Sequence, residues 1–135
     1  MFKEFKHLVG IPFVNGKSDC WWIVRMGYKV FGVEIPNYNL ACNAVEAISY
    51  SPKGIGDVVS EMAISRIAEW EKLEKPEEPC VIAMSLGIPG VLHHLALYIG
   101  KNRILHIRRE TMSCIERLDH PLYFQREMVF YKYVG

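Results

Sequence analysis

His94-Leu95-Ala96-Leu97-Tyr98-Ile99-Gly100, then Lys101-Asn102, then Arg103-Ile104-Leu105-His106, is the stretch whose reading decides the fold. Two short runs rich in aliphatic and aromatic residues flank Gly100-Lys101-Asn102, the pattern of an antiparallel hairpin. Residues of equal parity share a face of a strand. With an odd number of residues in the connection, His94 and His106 therefore fall on one face, opposite or diagonal to each other, while His93 points to the other.

Outward from the hairpin, Val81 to Leu86, Met112 to Leu118 and Met128 to Val134 have the same strand-like composition and are separated by turn residues. The half before Pro79 reads differently. Ser18 and Asp19 are good N-caps, and Cys20 then sits in the first turn of a helix. Ile23, Val24, Met26, Gly27, Val30 and Phe31 form its apolar stripe, opposed by Arg25 and Lys29, until Gly32 and Pro36 end it. Ala41 to Ile48 reads as a short helix, and Ser51-Pro52-Lys53-Gly54 as a turn. From Asp57, the spacing of Val58, Met62, Ile67, Trp70 and Leu73 predicts a second amphipathic helix, broken by a solvated linker from Lys72 to Pro79. Helices first and strands after predict an α+β fold, with N-terminal helices packed on a C-terminal antiparallel meander of about five strands.

The 135 residues suffice for a single domain over 1–135, and 50% hydrophobic content excludes a disordered chain. A net charge of +1 gives no reason to expect nucleic acid. Met1-Phe2-Lys3-Glu4-Phe5-Lys6-His7 lacks the form of a signal peptide, and no apolar run is long enough to predict membrane insertion. Cys20, Cys42, Cys80 and Cys114 are widely spaced, which predicts neither a disulfide framework nor a zinc site; no metal or cofactor is expected. Cys42, Cys80 and Cys114 read as small buried hydrophobes.

Cys20 reads as more than that. A thiol ordinarily titrates near 8.5, and the amides and dipole at a helix start favour its anion. A histidine base and a second polar group to orient it complete a cysteine-nucleophile site. Cys20, His94 and His106 supply these roles in that order. The plainer reading of either histidine is an ordinary hydrogen-bonded sheet residue.

Asp19-Cys20, His94 to Gly100 and Arg103-Ile104-Leu105-His106 resemble the Asp-Cys, His-Val-Gly-Ile-Tyr-Ile-Gly and Arg-Phe-Ile-His signatures of the NlpC-type cell-wall peptidases. The resemblance runs from about Leu8 to Tyr133. Asp19-Cys20-Trp21, Gly32-Val33-Glu34-Ile35-Pro36-Asn37-Tyr38 and the tail from Leu105 through Arg108-Arg109 to Ile115-Glu116 are similar to the phage tail-tip branch. It implies a papain-like fold and hydrolysis of an amide bond in peptidoglycan stem peptides, with Cys20 as nucleophile, His94 as base and His106 as orienting residue. Asp19 caps the helix, and Trp21 and Phe13 support the site. Phage tail proteins are the implied partners, and a virion tail or the host cell envelope the implied location.

The chain departs from that pattern at Trp21-Trp22, where the family has a glycine after the residue following Cys. It departs again at Pro12-Phe13 in place of Pro-Tyr, and at Glu78-Pro79-Cys80 in place of Pro-Gly-Asp. Two other readings stay open: a structural tail-assembly module with little or no catalysis, and a papain-like amidase or toxin with a substrate outside the wall.

Overall fold

The structure is a computed structural model that describes residues 2–14, 17–37, 69–85, 94–108, 111–123 and 125–135. Its order is a 3-10 helix (Lys3–Leu8), α1 (Cys20–Val30), β1 (Trp70–Leu73), β2 (Cys80–Met84), β3 (His94–Gly100), β4 (Arg103–His106), β5 (Cys114–Arg117) and β6 (Met128–Tyr133). The expected helix at Ala41 to Ile48, the turn at Ser51 and the stretch from Asp57 to Ile67 lie outside the described residues, as does His93.

The strands form one antiparallel sheet in the order β1-β6-β2-β3-β4-β5. The meander expected from the sequence holds for β2 to β5. Two corrections apply at its other side. The last strand, β6, returns to pair with β2, and a sixth strand, β1, pairs with β6 through Trp70↔Tyr133 to Leu73↔Phe130. Trp70 and Leu73 thus belong to a strand and not to the helix that their spacing predicts. Four residues of strand can match a helical period by accident, and partner β6 decides between the two. The predicted linker starts two residues late for the same reason. After Leu73 its character is as expected, solvated and charged, with Lys132 Nζ 2.7 Å from Glu77 Oε1.

α1 forms where the sequence places it. Asp19 Oδ1 accepts the Trp22 N–H at 2.9 Å, and Gly32 takes the positive φ of +80° that follows the helix end. The helix lies on the sheet face presented by Val81, Ala83, Leu95, Leu97 and Leu105, with Cys20, Trp21, Ile23, Val24 and Tyr28 buried in the same cluster. Gly27 makes this contact close: a Cβ there would meet Leu97 Cδ2 inside van der Waals distance and lie 3.1 Å from Leu105 Cδ2. The opposite face buries Cys80, Ile82, Met84, Ala96, Ile104 and Tyr123.

The segment before α1 is strapped to the sheet edge. Ser113 Oγ accepts the Ile11 N–H at 2.8 Å and donates to the Leu8 carbonyl, and the Phe13 N–H donates to the Thr111 carbonyl at 3.0 Å. Phe5 and Leu8 of the 3-10 helix are buried beneath it.

Candidate active site

The hairpin of β3 and β4 positions the two histidines. Leu97 pairs with Leu105 and Tyr98 with Ile104, but Gly100 pairs with Arg103, so Ile99 is an extra residue. The turn itself has two residues, Lys101 and Asn102, both at positive φ (52° and 61°) as a type I′ turn requires. The bulge turns an even connection into an odd one. Continuing the Leu97↔Leu105 register places His106 across from Ala96, diagonal to His94 and on its face. Their rings meet there, with His94 Nε2 2.9 Å from His106 Nδ1. Both are buried, His94 at 5% and His106 at 0% exposure.

The other edge of β4 continues the chain. His106 pairs with Cys114 and Ile104 with Glu116 across β5, which puts Cys114 and Glu116 on the histidine face. Glu116 Oε1 is 2.7 Å from His106 Nε2, accepts the Tyr123 hydroxyl at 2.7 Å, and accepts the Cys114 thiol at 3.3 Å. Tyr123 Oη also lies 3.3 Å from His106 Nε2. His120 Nε2 stands 4.0 Å from Glu116 Oε2.

These contacts set the charges. Burial opposes ionisation of Glu116, but hydrogen bonds from Tyr123, His106 and Cys114 outweigh it and hold the carboxyl down to about 2. Burial lowers His106 below the ordinary imidazole value even with Glu116 beside it, so the ring is neutral at neutral pH. Burial, and then the hydrogen bond each donates to Glu116, push the Cys114 thiol up to about 12 and raise the Tyr123 hydroxyl. The cluster is therefore one carboxylate receiving three neutral donors. His106, Cys114 and Glu116 have ligand atoms within 4.8 Å of one another, a spacing that suits a divalent ion. Their hydrogen bonds already satisfy the three groups without one.

Cys20 is the first residue of α1, 1% exposed, in the core cluster on the helix side of the sheet. It is disulfide-bonded, whereas Cys80 and Cys114 are free. Spacing along the chain did not predict a disulfide, because pairing depends on approach in space. Cys42 lies outside the described residues. Cys80 is fully buried as expected, and burial raises its thiol to about 11. Cys114 is only half-buried and hydrogen-bonded, not the small core hydrophobe the sequence reading made it.

Asp19 caps α1 as expected. Trp21 is a core residue: it is 1% exposed, its Nε1–H donates to the Pro36 carbonyl at 3.3 Å, and its ring lies 6.2 Å from that of Trp70. Trp22 and Phe13 are half-buried and pack against the same cluster. Sequence reasoning missed Glu116 and Tyr123. The parity of Cys114 and Glu116 was available in the sequence, but their register against His106 was not.

No family model matches the chain, and no curated protein does. Among solved structures, the chain is similar to a lipoprotein-like protein of the NLP/P60 family from Staphylococcus aureus, with a TM-score of 0.50 and 16% identity over 90% of this chain and 36% of that one. An NlpC/P60 family protein from Bacillus cereus is similar with a TM-score of 0.47 and 19% identity, over 92% of this chain and 36% of that one. The chain thus spans about a third of the length of these proteins. The likeness is one of fold, and the α+β architecture is the papain-like one.

Proposed function

We propose that the chain is a cysteine peptidase that hydrolyses an amide bond in the stem peptides of peptidoglycan, as a component of a phage or prophage tail tip. The observation that carries this reading is the buried 2.9 Å contact between His94 Nε2 and His106 Nδ1, since a histidine held by a second polar residue is the base a nucleophilic thiol needs. The Asp19-capped helix that begins at Cys20 supports it, as the helix start favours a thiolate. In this reading the thiol of Cys20, first residue of α1, works with the ring of His94, first residue of β3. Exchange with an external dithiol, which is itself oxidised to a disulfide, frees the Cys20 thiol, and His94 takes its proton. The sulfur attacks the scissile carbonyl, His94 returns the proton to the leaving amine, and water hydrolyses the thioester.

The disulfide at Cys20 favours a second reading, a tail-assembly module in which that bond is structural. One experiment separates the two. Purified protein is incubated with peptidoglycan in the presence of dithiothreitol, and released muropeptides are identified by mass spectrometry. New cleavage products that vanish in Cys20→Ala are expected, with His106→Ala less impaired than His94→Ala. No release across pH and salt sinks the peptidase reading; equal or reversed losses in the two histidine variants contradict the orienting role of His106.

A further inference from the structure

The hydrogen bonds around His106 form a directed chain, and its direction has a single origin. Glu116 Oε1 receives His106 Nε2 and Tyr123 Oη at 2.7 Å each, and Cys114 Sγ at 3.3 Å. An ionised carboxylate accepts and cannot donate. Every group touching that oxygen must therefore bring the proton. Tyr123 and Cys114 keep theirs because burial disfavours their anions. Neutral His106 has one ring proton, and Glu116 claims it on Nε2. Nδ1 of His106 is then a lone pair. The group 2.9 Å away, His94 Nε2, must be the donor of that contact. A neutral His94 with its proton on Nε2 has its lone pair on Nδ1.

We propose that Glu116 is a positioning residue that fixes the tautomer of both histidines, acting through His106 to keep the lone pair of His94 on Nδ1. This rests on the peptidase reading for its use: Nδ1 is then the atom that accepts the Cys20 proton. Tyr123 and Cys114 have a subordinate part, holding the carboxylate oxygen in line with His106 Nε2. Without the carboxylate, His106 is free to carry its proton on Nδ1. Two facing donors cannot share the 2.9 Å contact, so His94 must then protonate Nδ1 and lose its base.

The test is Glu116→Gln, which keeps the shape and removes the charge, read in two independent ways. Long-range ¹H–¹⁵N spectra of the histidine rings report the tautomers directly, with no substrate present. In the unaltered protein both His94 and His106 are expected as the Nε2–H form, and in Glu116→Gln His106 is expected to shift towards Nδ1–H. Tyr123→Phe removes a donor but leaves the carboxylate, and it is expected to keep both rings as Nε2–H. This second variant also guards against a Glu116→Gln protein that fails to fold. In muropeptide release, Glu116→Gln should lower kcat by about 10–100-fold with KM within about twofold. That is less than the roughly 10⁴ of the acid-to-amide change in a serine triad, because Glu116 stands one ring further out. An Nδ1–H form of His106 in the unaltered protein overturns the proposal, as does a Glu116→Gln protein with unchanged tautomers and turnover. Should no preparation cleave peptidoglycan, the peptidase reading fails alone, and the spectra still decide the role of Glu116.

Discussion

Replacing Gly27 with alanine sets two known effects against each other, and the structure says which prevails. On an exposed helix face the change stabilises by about 1 kcal/mol, because glycine is the poorer helix former. Here the added Cβ meets Leu97 Cδ2 inside contact distance and lies 3.1 Å from Leu105 Cδ2. Both leucines are fully buried and paired across β3 and β4, so neither methyl can swing into solvent. Forcing a buried leucine off its rotamer costs about 1 kcal/mol, and overpacking a filled core about 1–3 kcal/mol. Two leucines are involved, so the upper part of that range applies, and a net destabilisation of about 1–2 kcal/mol follows. For a domain of this size that lowers Tm by roughly 3–8 °C. Urea unfolding should show a lower midpoint at unchanged slope. A double-mutant cycle locates the cause: trimming Leu97 to valine in the Gly27→Ala background should recover about 1 kcal/mol relative to the sum of the single changes. A Gly27→Ala protein more stable than the parent by the helix-propensity gain would refute the close helix–sheet contact. So would strict additivity of the two substitutions.

Two further outcomes follow from the site. Because Cys20 is disulfide-bonded, iodoacetamide should label it only after treatment with a dithiol such as dithiothreitol, and muropeptide release should show the same dependence; labelling of Cys20 by mass spectrometry without reductant would contradict this. Acid should destabilise the fold in two stages, since the unfolded chain binds protons more readily than the folded one at both His106 and Glu116. Stability falls first below the ordinary imidazole value of 6.5, as His106 must charge, and again from 4.5 towards about 2, as Glu116 is neutralised. The second stage amounts to about 1–2 kcal/mol once solvent screening of the 21% exposed carboxylate is allowed for. In thermal melts across pH, Glu116→Gln should lose that second stage, and an unchanged profile would show that the carboxylate carries no such linkage.

What the sequence made legible was local. Asp19 declares a helix start by its own chemistry, and the Asp19 Oδ1 bond to Trp22 N is a contact three residues long. The runs 94–99 and 103–107 declare a hairpin because the turn lies between them. The fold was illegible where partners are distant. Trp70 to Leu73 has no strand pattern of its own; it becomes one because Tyr133 to Phe130 lies alongside, about 60 residues later. The same holds for β6, whose place between β1 and β2 follows from pairing at both edges and not from composition. Cys20 is a further case, because a disulfide is decided by distance in space.

The candidate site shows the same division within a single row of side chains. His94 and His106 could be placed on one face by parity, but only conditionally, since the count of residues in the connection hung on the bulge at Ile99. Adding β5 lengthens the row through Cys114 and Glu116, and its outermost group governs the rest. Glu116 is charged and accepts only; His106 is neutral and must point its one N–H at the carboxylate; His94 is left to donate to His106. A pair of buried imidazoles alone would be ambiguous, because either ring could be the donor. The carboxylate on the neighbouring strand removes that ambiguity, so the sheet register that brings Ile104 opposite Glu116 is itself part of the chemistry.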